Sequence, residues 1–190
     1  MNALILTGGK SARMGHDKSL INYHGKPQRE YLFELLSTMS SRVYTSCKRD
    51  QDIPPSLNPL PDKFTLSSPL NGILSAFELA PDQTWITVPV DMPMIDEHVL
   101  QFLIDHRQPE KNLATCFHDS DGEKPEPLLA IWEPAAYDHL KKFYASGEKS
   151  PRHFLMTHQV GIISPPNTSL YENINTPEDL QKFRERRVKK

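Results

Sequence analysis

Residues 6–18 read LTGGKSARMGHDK and combine three glycines with basic side chains, a set of groups that could bind phosphate. Gly8 and Gly9 follow a short apolar run, and glycines at the end of a strand let the backbone approach a phosphate and direct N–H groups at it. Arg13 can donate two hydrogen bonds to phosphate oxygens, and Lys18 supplies a compact positive charge. The spacing fits neither a Walker A loop nor the Gly-x-Gly-x-x-Gly turn. The segment predicts a different phosphate-binding loop, the alternative being an ordinary turn with solvated basic side chains.

Asp91 is the second residue whose position suggests chemistry, because it directly follows the apolar segment 85–90. One carboxylate together with substrate phosphates is a common way of holding magnesium. Asp91 therefore predicts a Mg²⁺ site. Aspartate and proline are also frequent turn residues, so Asp91-Met92-Pro93 could simply end a strand.

Hydrophobic periodicity predicts strands that alternate with helices. Strands are expected at 2–7, 42–47, 85–90, 113–117, 128–132, 161–163 and 171–173, and helices at 29–40, 69–80, 97–107, 135–145, 152–157 and 176–187. Residues 19–23 are expected to be extended and 48–62 to form a loop. Helices of about a dozen residues between strands imply crossover connections and a mostly parallel sheet, in which ligands bind beyond the carboxyl ends of the strands. We therefore predict a doubly wound, Rossmann-like α/β fold, with residues 1–190 forming a single domain.

Composition excludes several classes of protein. The 190 residues contain 22 Lys and Arg against 24 Asp and Glu, which gives a net charge of −2 and argues against a binder of nucleic acids or membrane surfaces. Mean hydropathy is −0.54, and no apolar run approaches the roughly 20 residues of a spanning helix. The first residues lack the features of a signal peptide, so a cytoplasmic location is expected. Cys47 and Cys116 are too few for a disulfide framework or a structural zinc site.

The pattern Leu-x-Gly-Gly-x-Ser-x-Arg-Met-Gly-x-Asp-Lys at residues 6–18 resembles the opening motif of the molybdenum cofactor guanylyltransferases (MobA-like), which belong to the wider nucleotidyltransferase family of doubly wound α/β proteins. The resemblance continues at 68–73, 85–93, 125–128 and 173–180, which read SPLNGI, WITVPVDMP, PEPL and NINTPEDL. Thr7 stands where alanine is usual, Ser68 replaces a glycine, and Val90 replaces the cysteine before the aspartate. The family's asparagine after the second strand has no clear counterpart.

The resemblance implies transfer of GMP from GTP to molybdenum-molybdopterin, with release of pyrophosphate and Mg²⁺ as cofactor. It implies catalytic roles for Arg13, Lys18 and Asp91, with Asp91 as the metal ligand. The residues implied to bind the nucleotide are Leu6, Thr7, Gly8, Gly9, Lys18, Asp62 and Asp91, and those implied to bind the acceptor are Asn173 and Asn175. Residues 173–178 also suit a helix start with Thr176 as its cap.

The implied reaction needs no general base, because the attacking phosphate of the acceptor has its second pKa near 6 and is ionised at neutral pH. One alternative is a molybdenum cofactor cytidylyltransferase of the same family, although the Gly8-Gly9 pair favours guanine, since the cytidylyl branch typically has Ala-Gly there. A second alternative is a nucleotide-binding protein without transfer activity. Contacts with other proteins of molybdenum cofactor biosynthesis would follow from the same resemblance.

Overall fold

The structure is a computed structural model that describes residues 1–7, 17–49, 51–119, 122–164, 173–174 and 176–188. Its strands are β1 (Asn2–Leu6), β2 (Val43–Cys47), β3 (Pro59–Pro61), β4 (Trp85–Pro89), β5 (Ala114–His118), β6 (Pro125–Trp132) and β7 (Val160–Ile163). Its helices are α1 (Gln28–Ser37), α2 (Leu70–Leu79), α3 (Glu97–Asp105), α4 (Ala136–Ala145), α5 (Pro151–Thr157) and α6 (Pro177–Val188), with 3₁₀ turns at Lys18–Leu20 and Pro55–Leu57. None of the helices in this part of the chain has both the length and the apolar character needed to cross a bilayer.

The seven strands form one sheet in the order β3-β2-β1-β4-β6-β5-β7. The pairings between β1 and β2, β1 and β4, β2 and β3, and β5 and β7 are parallel, whereas β6 is antiparallel to both of its neighbours. One edge of the sheet, which we call the carboxyl edge, therefore holds the carboxyl ends of six strands and the amino end of β6. This arrangement confirms the predicted α/β fold with a mostly parallel sheet flanked by helices.

Both faces of the sheet are covered by helices, which explains why β1 and β4 are continuous buried runs rather than alternating ones. Successive β1 side chains point to opposite faces. Leu4 and Leu6 pack with residues of α2, α4 and α5. Ala3 and Ile5 pack with residues of α1 and α3 on the other face. The two apolar layers fix the positions of the strand ends at the carboxyl edge.

Two sequence predictions are wrong in detail. Residues 19–23 are not extended over their whole length, because Ser19 and Leu20 belong to the 3₁₀ turn at Lys18–Leu20. The Asp17 carboxylate caps this turn by accepting the N–H of Ser19. The loop expected at 48–62 contains the short strand β3, which lies at the edge of the sheet, where prolines without an N–H donor are tolerated. Of the strand expected at 171–173, residues 171–172 lie outside the described residues.

The reversal of β6 follows from the short connection before it. Residues 119–124 are too few for a crossover of about a dozen residues, so β5 and β6 pair as antiparallel neighbours. As a consequence, the start of β6 returns to the carboxyl edge and brings the buried Glu126 with it.

At the opposite edge of the sheet, a carboxylate is held by an arginine and a threonine. Arg107 Nε and Nη2 donate to Glu133 Oε1 and Oε2 at 2.9 and 2.8 Å, and Thr84 Oγ1 donates to Oε2 at 3.0 Å. Thr84 precedes β4 and Glu133 follows β6, so the cluster ties these strands to the end of α3. The Glu133 side chain is 3% exposed, against 26% for Arg107.

We expect Arg107→Ala to lower the free energy of unfolding by about 3 kcal/mol, because it leaves the Glu133 carboxylate buried without its cation. Lys26→Ala is the matched control, since it breaks an exposed ion pair with Glu34 and should cost no more than about 0.5 kcal/mol. Urea titration of the two variants measures the difference. Equal costs would mean that the Arg107 pair does not stabilise the sheet.

Candidate active site

The end of β1 is tied to the end of β2 through Thr7. Its hydroxyl donates to the carbonyl oxygen of Ser46 at 2.5 Å, and the bond is buried. An alanine at position 7, which is usual in the resembling family, could not make this bond. Leu6 is buried just before Thr7 and packs in the core beneath the carboxyl edge. The Thr7 hydroxyl therefore fixes the backbone at the point where the predicted phosphate-binding loop begins.

Lys18, Asp91 and the segment 173–174 meet at the carboxyl edge. Lys18 Nζ lies 3.9 Å from Asp91 Oδ2 and donates a hydrogen bond to the carbonyl oxygen of Ile174 at 3.0 Å. The N–H of Ile174 donates to the carbonyl oxygen of Asp91 at 2.7 Å. Ile174 also packs in an apolar cluster with Ile21, Tyr23 and Phe183. These contacts bring together parts of the chain that are far apart in sequence.

The carboxylate of Asp91 is poorly compensated by the residues that the structure describes. Burial raises its pKa above the usual range, and the nearby charge of Lys18 only partly opposes this effect. Its Oδ1 atom is buried and accepts no hydrogen bond from any described residue. A carboxylate oxygen with this deficit suits a hard divalent cation, which prefers oxygen ligands. The described residues contain no group of three or more His, Cys, Asp or Glu able to hold a metal. Water and the oxygens of a bound phosphate are ligands that would suit a magnesium ion at Asp91.

Asp62 lies at the end of β3, on the other side of β1 and β2. Its N–H donates to the carbonyl oxygen of Cys47 at 2.8 Å, and Ser46 Oγ is 3.5 Å from its Oδ1. Burial raises the pKa of Asp62, and the hydrogen bond from Ser46 opposes that shift. Helix α2 approaches closely here, since a Cβ at Gly72 would lie 2.5 Å from Ser46 Oγ.

Asp62 and Asp91 therefore lie at two separate points of the carboxyl edge, Asp62 after the outermost strand β3 and Asp91 after the central strand β4. They follow β3 and β4, which are three strand spacings apart in the sheet, or about 14 Å at about 4.8 Å per spacing. The buried amide of Asn71 holds the backbone beyond Asp62, because it donates to the carbonyl oxygens of Phe64 and Leu66. An elongated ligand with a charged end could lie between the two aspartates.

The remaining site residues expected from the sequence fall into two groups. Asn173 is described and precedes Ile174, so it lies beside Asp91 in the fold. Gly8, Gly9, Arg13 and Asn175 lie outside the described residues. The expected cap is confirmed, because Thr176 Oγ1 accepts the N–H of Asp179 at 3.1 Å, and Asp179 accepts the N–H of Thr176 in return.

Residues 3–161 match the family model described as the MobA-like NTP transferase domain. The chain belongs to the MobA-like NTP transferase family. The match covers Leu6, Thr7, Lys18, Asp62 and Asp91, and it confirms the resemblance seen in the sequence. The protein is therefore a nucleotidyltransferase, and nucleotidyltransferases of this type generally use a divalent metal ion.

Two relatives and one solved structure illustrate the similarity of this nucleotidyltransferase to known proteins. The chain is 34% identical over 179 residues to a molybdenum cofactor biosynthesis bifunctional protein of Synechocystis. The alignment covers 93% of the chain but 51% of the Synechocystis protein, so the chain spans about half the length of that relative. It is 30% identical over 188 residues to a molybdenum cofactor guanylyltransferase of Pseudomonas fluorescens, covering 95% of the chain and 92% of the relative. The crystal structure of molybdopterin-guanine dinucleotide biosynthesis protein A from Archaeoglobus fulgidus superimposes with a TM-score of 0.83 at 22% identity over 100% of both chains.

Glu126 is a charged residue of the carboxyl edge that the sequence analysis did not single out. Burial raises its pKa to about 7, the hydrogen bond from the N–H of Leu128 and the charge of Arg152 oppose the shift, and Asp91 and Asp119 add to it. The residue was visible in the sequence as the one charge in the otherwise apolar stretch PEPLLAIW of β6. Its place near Asp91 depends on the reversal of β6, which the sequence analysis did not include.

We expect Glu126 to make the nucleotidyltransferase less stable as the pH rises. Between its ordinary pKa of 4.5, which applies to the unfolded chain, and about 7 in the folded state, the folded protein retains a proton that the unfolded chain releases. The resulting loss of stability is about 3 kcal/mol, at 1.36 kcal/mol per pKa unit. Glu126→Gln should remove this part of the pH dependence.

Urea unfolding at pH 5 and pH 7.5 measures the effect as the difference between wild type and variant. Glu34→Gln, at an exposed position on α1, is the control and should leave the pH dependence nearly unchanged. If the free energy of unfolding of Glu126→Gln changes between the two pH values as much as that of wild type, the Glu126 carboxyl does not titrate between pH 5 and pH 7.5.

Proposed function

We propose that the protein transfers GMP from GTP to molybdenum-molybdopterin and releases pyrophosphate. The observation that carries the proposal is the pairing of Lys18 with the undercompensated Asp91 at the carboxyl edge, beside the end of β1. In parallel α/β sheets, ligands bind beyond this edge. The guanylyltransferase name of the Pseudomonas relative, which aligns over nearly its whole length, supports the choice of donor and acceptor.

In the proposed reaction, an oxygen of the acceptor's terminal phosphate attacks the α-phosphorus of GTP. A new P–O bond forms, the bond from the α-phosphorus to the oxygen that bridges to the β-phosphate breaks, and pyrophosphate leaves with the electron pair. The attacking phosphate has its second pKa near 6, so it needs no general base at neutral pH. The main difficulty is to bring two polyanions together, which is a task for positioning and electrostatics.

Residues of this chain would divide that task. Lys18, 3.9 Å from Asp91, would bind phosphate oxygens as a point charge, together with Arg13 and the N–H groups of Gly8 and Gly9. Asp91 would hold Mg²⁺, with phosphate oxygens as the further ligands. When bound, the ion supplies positive charge that stabilises the negative charge of the pyrophosphate.

Donor and acceptor would approach Asp91 from different sides. Asp62, at the β3 end of the edge, would lie toward the nucleoside of GTP. Asn173, which precedes the Ile174 whose N–H binds the Asp91 carbonyl, and Asn175 would contact the acceptor. In this arrangement the α-phosphate of GTP and the acceptor phosphate meet beside Asp91 and Lys18.

Three further parts of the proposal concern the domain organisation, the location and the partners of the protein. The described elements form one domain, which is supported by a single sheet that joins strands from residue 2 to residue 163. The enzyme acts in the cytoplasm, where its donor GTP is available. Contacts with other proteins of molybdenum cofactor biosynthesis remain a prediction from the family.

The direct test is pyrophosphate release with GTP, CTP or ATP, with and without molybdenum-molybdopterin. We expect rapid release with GTP only when the acceptor is present. Lys18→Ala should reduce the rate at least about 100-fold, because the charge that positions the phosphates is lost. The loss of its charged hydrogen bond to Ile174 and of its charge beside Asp91 should also lower the free energy of unfolding, by about 2 kcal/mol, so the rates are compared at a temperature at which both proteins are folded.

Two other results would favour the alternative functions. Release with CTP in preference to GTP would favour a cytidylyltransferase. Binding of GTP without pyrophosphate release would favour a nucleotide-binding protein that does not catalyse transfer. Lys26→Ala, which changes an exposed lysine, serves as the control and should retain the wild-type rate.

A further inference from the structure

Gln51 forms hydrogen bonds to both ends of the segment that leads through residues 8–16. Its Nε2 donates to Asp17 Oδ2 at 3.0 Å, and its Oε1 lies 3.2 Å from the hydroxyl of Thr7, whose single proton is shared between this oxygen and the nearer carbonyl oxygen of Ser46. Oε1 also accepts the N–H of Lys48 at 3.4 Å. Thr7 and Asp17 are the described residues that flank the predicted phosphate-binding loop. One side chain from the loop after β2 therefore bridges the two ends of another loop.

The orientation of the Gln51 amide follows from the polarity of its partners. The Asp17 carboxylate can only accept a hydrogen bond, and the N–H of Lys48 can only donate one. Rotation of the amide by 180° would place its oxygen against the carboxylate and its NH₂ group against the N–H. The observed orientation is therefore the one in which both contacts are favourable.

Asp17 connects this bridge to Lys18. Its other oxygen, Oδ1, accepts the N–H of Ser19 at 2.9 Å and caps the 3₁₀ turn at Lys18–Leu20. The turn includes Lys18, whose ammonium group lies beside Asp91. A displacement of Asp17 would therefore shift the backbone that carries Lys18.

We propose that Gln51 is a positioning residue that holds both ends of the phosphate-binding loop for the nucleotide. The inference rests on the proposed function, because it needs a nucleotide phosphate at this loop. Gln51 acts through Thr7 and Asp17. By fixing the ends before substrate arrives, it lowers the ordering cost of binding.

Exchange of the donor and acceptor roles tests this bridge sharply. Gln51→Glu places a carboxylate against the Asp17 carboxylate, so the two ends are pushed apart. In the Asp17→Asn variant, the oxygen of the new amide caps Ser19, so its NH₂ group faces the NH₂ group of Gln51. The two amides can form a hydrogen bond only if the new side chain turns over and gives up the cap. In the double variant, the new amide at position 17 donates to the new carboxylate at position 51 and still caps Ser19, since asparagine caps about as well as aspartate. The carboxylate at position 51 still accepts from the N–H of Lys48 and still shares the Thr7 proton with the carbonyl oxygen of Ser46.

We expect Gln51→Glu to weaken GTP binding and raise the KM for GTP roughly 10- to 100-fold, because small displacements of positioning groups have effects of this size. The KM for the acceptor should change much less. The double variant should return to within about threefold of wild type, whereas Asp17→Asn alone should be intermediate. Calorimetric titration with GTP, at a temperature at which every variant is folded, separates positioning from loss of fold.

Gln101→Glu is the matched control, because Gln101 Nε2 donates to Asp105 Oδ1 at 2.7 Å on the exposed surface of α3. It creates the same carboxylate pair away from the carboxyl edge and should leave the affinity for GTP unchanged. The inference is overturned if Gln51→Glu binds GTP like wild type, or if the double variant is no better than the worse single variant. A wild type that binds no GTP would instead overturn the proposed function, and the inference with it.

Discussion

Burial of the Asp91 carboxylate at the carboxyl edge raises the free energy of its charged form, and the surrounding elements only partly offset that cost. Lys18 approaches one oxygen to 3.9 Å, and the other accepts no hydrogen bond from the described residues. The backbone around it is nevertheless firmly held, because the Ile174 N–H binds the Asp91 carbonyl. The described residues thus fix the position of the carboxylate while leaving its charge undercompensated, as expected for a group that binds a cation together with substrate.

Glu133, at the opposite edge of the same sheet, differs from Asp91 because both of its oxygens accept hydrogen bonds. Its two oxygens receive three hydrogen bonds from Arg107 and Thr84 at 2.8 to 3.0 Å. The charge of that carboxylate is paired with Arg107 and both of its oxygens accept hydrogen bonds, and it joins β4 and β6 to the end of α3. The fold therefore places a satisfied carboxylate where strands must be held together and an unsatisfied one where substrate phosphates are proposed to bind.

The sequence was most informative where a residue's role depends on its immediate neighbours. The apolar runs of β1 and β4 predicted buried strands because both faces of the sheet are covered, and the Gly-Gly and Asp-x-Pro features followed directly from those strands. β3 was missed because the segment PLP has no strand signal of its own and pairs only through β2. The position of Glu126 was missed because it depends on the reversal of β6.

Long-range contacts account for the rest of what the sequence did not predict. Gln51 lies in a polar loop with nothing local to distinguish it, and its importance arises from contacts with Thr7 and Asp17, 44 and 34 positions away. The contact between Lys18 and Ile174 spans 156 positions. The fold and family were therefore predictable, whereas the roles of the individual site residues, Lys18 and Asp91 included, stay predictions.

The most direct test of this account is the magnesium dependence of GMP transfer by Asp91→Asn. The amide keeps the shape of the side chain and costs less to bury than a carboxylate, so folding should be unchanged or slightly stabilised. If Asp91 holds the cation, half-maximal activity should move to a much higher magnesium concentration and the maximal rate should fall by orders of magnitude. A variant with the wild-type rate and an unshifted magnesium titration would contradict the central role of Asp91.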